Sequence, residues 1–331
     1  MRRLALVLLL ACASLAAPAE TPAPYGRRPE VQAFIREMVE RHGFVEQELA
    51  RLFSRVRPVA PILEAIAAPS EKVRSWREYR GLFLTERRLA GGVTFWKKHR
   101  RTLERAEREF GVPAEYIVAI IGVETLYGQN TGKWRVVEAL ATLAFDYPPR
   151  AGFFKSELEH YLVMARDSGL DVFSVRGSYA GAIGIPQFMP SSARRYAVDF
   201  DGNGRIDLQK SRSDAIGSVG NFLKVHGWQR DADVMVEARV TGEAWRALVD
   251  GRFEPKHSLA ELRAAGVEFD SPQPAGASAA LIELSNVERA SSFRVGLRNF
   301  YVITRYNRSA LYASAVAELA RELRRGYDLG R

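Results

Sequence analysis

The sequence is poor in cysteine and histidine, and both shortages exclude classes of site. Cys12 is the only cysteine in 331 residues, so no internal disulfide can form. The five histidines include no His-x-x-x-His pair, so a helix-borne zinc protease site is not indicated. The glycine-rich run at residues 177–181 places its serine second rather than third, unlike the nucleophile elbow of a hydrolase.

Patterns for nucleotide and nucleic-acid binding are also missing. The sequence contains no phosphate-cradling glycine loop and no dinucleotide fingerprint, so no organic cofactor is expected. It has no zinc-finger spacing and no clustered basic-aromatic module, so nucleic acid is not an expected partner.

The amino terminus carries a short apolar run. A charged Met-Arg-Arg precedes apolar residues Leu4 to Ala11, and a small-x-small cleavage site ends at Ala19. These features predict a signal peptide at 1–19 and a periplasmic protein, and the run is too short for a transmembrane anchor. A lipoprotein box ending at Cys12 is the alternative, which would make an outer-membrane lipoprotein anchored by a lipid on that cysteine.

The charge is strongly positive. Removal of residues 1–19 takes away Arg2 and Arg3 and no acid, so the formal charge falls from +9 to +7. A basic exported protein suits an anionic partner such as a cell wall or an anionic membrane surface. For the basic run at residues 97–101, the plainer interpretation is a solvated surface.

The stretch Ile117 to Gly128 carries the most informative carboxylate. Ile117, Ile120, Ile121 and Glu124 have the spacing of one helical face, which is apolar except for Glu124. A carboxyl group held against an apolar surface has a raised pKa, as an acid catalyst at neutral pH requires. The alternative is a glutamate at a helix end that reaches water.

Residues 199–207 match a calcium-binding loop of the EF-hand type. Oxygen-bearing side chains stand at loop positions 1, 3, 5 and 9, with glycine at position 6 and an aliphatic residue at position 8. Position 12 is Lys210 instead of glutamate, and Asp214 could replace it after a rearrangement. We expect a structural Ca²⁺ ion, while a turn without metal is the alternative.

The rest of the chain is predicted to be mostly helical. One long helix is expected at Val93 to Phe110, ended by Gly111. Residues 177–190 have the composition of a ligand-holding glycine loop. Strands are expected at 234–240, 279–284 and 300–304.

Several motifs in consistent order resemble the membrane-bound lytic transglycosylase B family. The resemblance covers roughly residues 30–325, and its motifs are Val-Glu-Thr-x-Tyr-Gly at 123–128, Ala-Leu-Ala-Thr-Leu-Ala-Phe-Asp-Tyr-Pro at 139–148, Gly-Ser-Tyr-Ala-Gly-Ala-Ile-Gly-Ile-Pro-Gln-Phe-Met-Pro at 177–190, Tyr-Ala-Val-Asp-Phe-Asp-Gly-Asn-Gly at 196–204 and Ile-Thr-Arg-Tyr-Asn at 303–307. It implies a bacterial enzyme that cleaves peptidoglycan glycan strands, with other cell-wall enzymes as further partners.

The resemblance also implies a fold and its divisions. The fold class would be mainly α (α+β), with a lysozyme-like helical core, an N-terminal helical region and a small α/β subdomain before the C-terminal helix. The expected divisions are a signal peptide (1–19), a linker (20–29), the N-terminal helical region (30–110), the catalytic core (111–229) with the calcium loop (199–214), the α/β subdomain (230–299) and a C-terminal segment returning to the core (300–331).

Site residues are carried over by position in the motifs. Glu124 matches the family's catalytic acid/base. The implied substrate-binding residues are Tyr79, Arg150, Ser178, Gln187, Tyr306, Asn307 and Tyr312, and the implied calcium ligands are Asp199, Asp201, Asn203, Arg205 through its carbonyl, and Asp214. Phe222 stands where the family has a tyrosine, and Pro149 where some relatives have a second arginine.

The implied reaction is non-hydrolytic. Glu124 would protonate the oxygen between N-acetylmuramic acid and N-acetylglucosamine and then accept the proton of the 6-hydroxyl that closes a 1,6-anhydro ring. A hydrolytic muramidase is a rival that needs a second carboxylate, for which Asp146, Glu157 and Glu159 are available. A non-catalytic, calcium-stabilised wall-binding protein is the other rival.

Overall fold

The computed structural model describes residues 25–67, 75–286 and 289–330. The predicted signal peptide with Cys12 and the first half of the predicted linker, residues 20–24, lie outside these residues. Helices dominate the described part: α1 (Pro29–His42), α2 (Glu46–Phe53), α3 (Ala60–Ala67), α4 (Trp76–Phe83), α5 (Glu86–Lys98), α6 (Arg100–Phe110), α7 (Ala114–Thr125), α8 (Val136–Asp146), α9 (Ala151–Asp167), α10 (Pro190–Tyr196), α11 (Arg212–Val225), α12 (Leu259–Ala264), α13 (Arg298–Tyr306) and α14 (Ala310–Asp328).

The strands form two antiparallel sheets. The first pairs β1 (Trp134–Arg135) with β2 (Arg176–Gly177). The second has five strands in the order β4-β6-β7-β3-β5, where β3 is Met235–Val240, β4 is His257–Ser258, β5 is Val267–Phe269, β6 is Ser278–Asn286 and β7 is Arg289–Gly296. Short 3₁₀ turns occur at Tyr25–Arg27, Pro148–Arg150 and Ala244–Leu248.

Three apolar clusters hold these elements together. In the largest, α5, α6, α11 and α14 pack around α7. A second cluster joins α1, α2 and α3 to α8 and α9, and a third lies between α12 and one face of the five-stranded sheet. The sequence expectation of one N-terminal region at 30–110 and a core at 111–229 stays a prediction.

Two sequence expectations about elements are wrong. The segment Phe300–Thr304 belongs to helix α13 and is not a strand. Its β-branched residues favour a strand, but Phe300, Val302 and Ile303 are all buried against the core, and packing of the helix against α14 overrides that preference.

The predicted long helix at 93–110 is also two helices. His99 adopts φ −109° and ends α5, and α6 starts at the next residue. The end of α6 is as expected, because Gly111 takes the left-handed conformation that closes a helix.

In the described part of the chain, no helix is long and apolar enough to cross a membrane.

Candidate active site

Glu124 lies in the last turn of α7, the helix around which the largest apolar cluster packs. The three isoleucines predicted to share its face, Ile117, Ile120 and Ile121, are fully buried. Val118 and Ala119 are fully buried as well, so the middle of the helix is enclosed on all sides rather than on one face. Glu124 therefore projects from an apolar scaffold and retains only partial exposure to solvent.

One hydrogen bond holds the carboxylate. The hydroxyl of Tyr312, at the start of α14, donates to Oε1 of Glu124 at 2.6 Å. Burial raises the pKa of Glu124 to about 7, and the Tyr312 hydrogen bond opposes that rise because it stabilises the charged form. Near neutral pH the carboxyl group thus populates both protonation states, which suits a group that gives a proton and then takes one.

Aromatic side chains from distant parts of the chain surround this carboxyl. The rings of Tyr306 and Tyr312 are nearly parallel, at 13° with centroids 6.5 Å apart. Burial, the charge of Glu124 and the neighbouring phenols of Tyr306 and Tyr79 raise the pKa of Tyr312, so it remains a neutral donor. The structure thus brings together four predicted site residues from α4, α7, α13 and α14.

The chain turns sharply directly after α7. Leu126, Tyr127 and Gly128 have consecutive positive φ values of 50°, 61° and 83°. Two of them are not glycine, and the left-handed region is strained for such residues. The turn therefore sets the orientation of the end of α7 and of Glu124.

Thr125 holds this turn in place, a role that the sequence analysis did not assign. Its buried hydroxyl accepts a hydrogen bond from the Gly128 amide at 3.0 Å and donates to the Ile185 carbonyl at 2.9 Å. It therefore ties the turn to the glycine loop at 177–190. The only sequence signal was its position beside Glu124 in the Val-Glu-Thr motif.

Tyr127 anchors the other side of the turn. Its hydroxyl donates to the Arg88 carbonyl at 2.8 Å. The ring passes so close to α5 and α7 that a Cβ at Gly92 or Gly122 would come within 2.4 Å or 2.6 Å of the hydroxyl oxygen. Glycine at these two positions is what lets the ring enter.

The polar residues of the glycine loop mostly stabilise the loop itself. Ser178 Oγ accepts hydrogen bonds from the amides of Ala180 and Ala182 at 3.2 and 3.0 Å. Gln187 has a positive φ of 52°, and its side-chain amide donates to the carbonyls of Thr131 and Gly184. Both side chains remain partly exposed.

A tyrosine hydroxyl connects this loop to the tyrosine cluster. Tyr306 donates to the Pro186 carbonyl at 2.5 Å. The ring centroids of Phe222 and Tyr306 are 4.8 Å apart. Phe222 lacks the hydroxyl of the tyrosine that the family has at this position, so its contact with Tyr306 is apolar.

Two other predicted substrate-binding residues lie at the protein surface. Arg150 is exposed, and its guanidinium lies over the ring of Phe153 at 4.4 Å. Asn307 is exposed at the end of α13.

The three carboxylates weighed as a second catalytic group are all engaged elsewhere. Asp146 accepts hydrogen bonds from Tyr25 and Arg28. Ser191 donates to Glu157 from both its amide and its hydroxyl, and Arg41 and His42 contact Glu159. None of them is among the groups that shift the pKa of Glu124. Among the described residues, Glu124 has no carboxylate partner.

The predicted calcium loop brings three carboxylates together. Oxygen atoms of Asp199, Asp201 and Asp214 lie within 4.8 Å of one another. Asp214 is fully buried in the first turn of α11 and accepts hydrogen bonds from the amides of Phe200 and Asp207. Three negative charges this close repel each other unless a cation compensates them, so the donor set fits a divalent cation with oxygen ligands.

The remaining two predicted ligands are in the same loop. The side-chain oxygen of Asn203 accepts from the Arg205 amide at 2.9 Å. Amides of Gly202, Asn203 and Gly204 donate to Asp199 and outweigh its desolvation, so its pKa is lowered.

The family model for the transglycosylase SLT domain matches residues 26–321. The chain belongs to this family. It is 41% identical to the membrane-bound lytic murein transglycosylase B of Escherichia coli K12, across 95% of this chain and 94% of that protein. Two solved structures are also similar. The soluble lytic transglycosylase SltB1 of Pseudomonas aeruginosa is 48% identical, with a TM-score of 0.86 over 91% of this chain and 100% of that one.

The second is the Escherichia coli lytic transglycosylase Slt35 in complex with calcium. It is 40% identical, with a TM-score of 0.83 over 93% of this chain and 97% of that one. These likenesses confirm both the family resemblance and the predicted fold class, a mainly helical, lysozyme-like chain with a small α/β part.

Proposed function

We propose that this member of the transglycosylase family is a lytic transglycosylase of peptidoglycan. It cleaves the β-1,4 bond from N-acetylmuramic acid to N-acetylglucosamine without water and leaves 1,6-anhydromuramic acid ends. Glu124 is the single general acid and base. The observation that carries this assignment is a carboxyl group with a pKa of about 7, held by Tyr312 and without a carboxylate partner among the described residues.

In the first step, protonated Glu124 gives its proton to the glycosidic oxygen. The bond from that oxygen to the muramic C1 breaks, and positive charge develops at C1. The buried setting favours the protonated acid before the step, and Tyr312 stabilises the carboxylate that the step leaves behind.

In the second step, the carboxylate of Glu124 takes the proton from the 6-hydroxyl of the same sugar. The 6-oxygen then bonds to C1 and closes the 1,6-anhydro ring. The proton gained by Glu124 replaces the one it lost, so no water is consumed.

The surrounding residues bind and orient the sugar. Tyr79, Tyr306 and Tyr312 supply aromatic surface beside Glu124, and aromatic rings suit the apolar faces of sugars. Ser178 and Gln187 contribute from the glycine loop, and Arg150 and Asn307 are proposed for more distant parts of the glycan or its peptide.

The two alternative functions require different carboxyl groups from the proposed one. A hydrolytic muramidase needs a second carboxylate at a defined separation, and Asp146, Glu157 and Glu159 have other partners. A wall-binding protein without catalysis would not need a carboxyl group whose pKa is raised to about 7.

The loop at 199–214 is proposed to bind a structural Ca²⁺ ion. Asp199, Asp201, Asn203, Asp214 and the carbonyl of Arg205 would hold it. When bound, the ion neutralises the three carboxylates and ties the loop to the start of α11. The relative Slt35, solved in complex with calcium, supports this proposal.

The compartment is proposed from the amino terminus. Residues 1–19 have the features of an export signal, and Cys12 is a candidate for lipidation. Export to the periplasm would bring the enzyme to peptidoglycan and to other cell-wall enzymes.

The decisive experiment is mass spectrometry of the muropeptides released from purified sacculi. The proposal expects products with 1,6-anhydro ends, lighter by one water than hydrolytic products. Glu124→Gln should abolish release while sacculus binding persists, and Glu104→Gln on the exposed face of α6 is the matched control with full release. Reducing ends would establish a muramidase, and absence of release by the wild type would favour the wall-binding protein.

A further inference from the structure

The basic run at residues 97–101 forms a concave surface where three helix ends meet. The end of α5, the start of α6 and the end of α14 enclose a shallow cavity of about 460 Å³. Its lining consists of Lys97, Lys98, His99, Arg100, Arg101, Thr102 and Tyr327. We call Lys97, Lys98, Arg100 and Arg101 the basic patch; all four are exposed.

Most of this positive charge is not compensated by acids. Lys98 and Arg101 form no ion pair within the described part of the chain, and the Lys97 ammonium donates only to the Gly330 carbonyl at 2.9 Å. Arg100 has an exposed partner, Glu104, at 3.5 Å. By contrast, the arginines of the adjoining α14 are paired, as in the contact of Arg324 with Glu115 at 2.8 Å.

Half of the patch is placed unfavourably for the fold. Lys97 and Lys98 lie in the last turn of α5, where cations are favoured, but the two arginines do not. Arg100 and Arg101 lie in the first turn of α6, which contains no acid, and cations are disfavoured at this positive end of a helix. Burial and the charges of Lys98 and Arg212 lower the pKa of His99, so its ring adds no further charge near neutral pH. Such an arrangement is better explained by an external anion than by stability.

A ring stack joins the helices beneath the patch, and an exposed apolar side chain lies beside it. The ring of Trp96 stacks on Tyr327 at 4.4 Å, which joins α5 to α14. Leu329, next to the glycine that contacts Lys97, is 69% exposed. An isolated aliphatic side chain beside lysines and arginines is the combination found on surfaces that bind the lipid-water interface.

We propose that the basic patch, together with Tyr327 and Leu329, binds the surface of a membrane rich in anionic phospholipids. The lysines and arginines contact lipid phosphates, and Leu329 enters the boundary between headgroups and acyl chains. The exposed leucine favours a lipid surface over the carboxylates of peptidoglycan peptides, because a carboxylate offers it no apolar contact. This surface acts in addition to any lipid on Cys12, since one acyl chain gives only weak and reversible anchoring.

The test is sedimentation with vesicles of phosphatidylcholine, with and without phosphatidylglycerol. The chain is used without residues 1–19, which removes Cys12, so that no acyl chain contributes. We expect binding to the anionic vesicles only, lost at about 1 M salt, where charges are screened beyond about 3 Å.

Two variants locate the binding. Lys98→Ala with Arg101→Ala should weaken it about 10- to 30-fold, because each positive charge near an anionic membrane contributes about fivefold. Arg36→Ala with Arg239→Ala removes two exposed charges elsewhere and should leave binding unchanged. Leu329→Ser should weaken binding several-fold without changing the net charge.

The outcomes separate membrane binding from the reaction. Muropeptide release from lipid-free sacculi should be the same for all these variants, so this inference stands or falls independently of the proposed reaction. Equal losses in the two double variants, or equal binding to neutral vesicles, would overturn it. Weaker binding of the patch variant to sacculi, without any vesicle binding, would assign the patch to peptidoglycan instead.

Discussion

The hydrogen bond from Tyr312 to Glu124 gives a quantitative prediction for the pH dependence of the reaction. Tyr312→Phe removes a donor that stabilises the carboxylate, so the pKa of Glu124 should rise above its value of about 7. Hydrogen bonds to charged groups contribute about 1.5–3 kcal/mol, which corresponds to about 1–2 pH units. Burial of Glu124 is unchanged by this substitution, so nothing else in the site offsets the rise.

The assay is kcat/KM for release of 1,6-anhydro products as a function of pH. The first step needs protonated Glu124, so activity of the wild type should fall as the pH rises through about 7. In Tyr312→Phe this alkaline limb should move upward by about 1–2 pH units. At low pH the variant should be slower, because the carboxylate formed in the first step has lost its donor.

Tyr306→Phe is the matched control. It also removes one buried hydroxyl, but that hydroxyl donates to the Pro186 carbonyl and not to Glu124. Its alkaline limb should stay close to that of the wild type. An unchanged limb in Tyr312→Phe, or an equal displacement in both variants, would refute the role given to this hydrogen bond.

Three further predictions concern stability and metal binding. Folding raises the pKa of Glu124 from 4.5 to about 7. The contribution of Glu124 to the free energy of unfolding is therefore fully present below pH 4.5 and is lost as the pH rises through 7. Glu124→Gln should therefore gain up to about 3 kcal/mol in unfolding free energy over the wild type at pH 8, and much less at pH 5, in urea titrations. Thr125→Val should cost about 1–3 kcal/mol and lower kcat more than it raises KM, since the Gly128 amide and Ile185 carbonyl lose their partner. Thr125→Ser should restore both, and a normal kcat in the valine variant would contradict the positioning role. Removal of calcium by a chelator at matched ionic strength should lower the Tm by about 5 °C, and Asp201→Ala should abolish that response. An unchanged Tm in the wild type would exclude a bound ion.

The sequence predicted the helix that carries Glu124 and the raised pKa of its carboxyl group, because both depend on local patterns. The isoleucine spacing correctly placed a helix over Ala114–Thr125. It did not reveal that the middle of the helix is enclosed on all sides, because positions outside the isoleucine face include Ala119 and Gly122, which carry little hydrophobic signal. The burial of α7 results from its packing against α5, α6, α11 and α14, and no short stretch of sequence contains all of these helices.

The errors have the same origin. No glycine or proline marks the break at His99, so the sequence predicted one helix where the structure has α5 and α6. Residues 300–304 are all aromatic or β-branched, and only contacts with distant parts of the chain make them helical. Asn299, for example, donates its side-chain amide to the carbonyls of Gln229 and Ala232.

The tyrosine cluster could be found only through the family resemblance. Tyr79, Glu124 and Tyr312 are far apart along the chain, and nothing in their local sequences indicates that they meet. The hydroxyl of Thr125 was missed because its partners, a turn amide and a loop carbonyl, are defined by the backbone and not by residue type.

The origin of Tyr312 in the last helix has a consequence for biosynthesis. During synthesis, Glu124 emerges long before α14, and the donor that tunes its carboxyl group arrives only when the final helix packs onto α7. A chain truncated before Ser309 lacks the Tyr312 hydroxyl and also the α14 side chains that pack against α7. Maturation of the acid is thereby coupled to completion of the fold, so that an enzyme able to cut the cell wall becomes active only as a finished molecule.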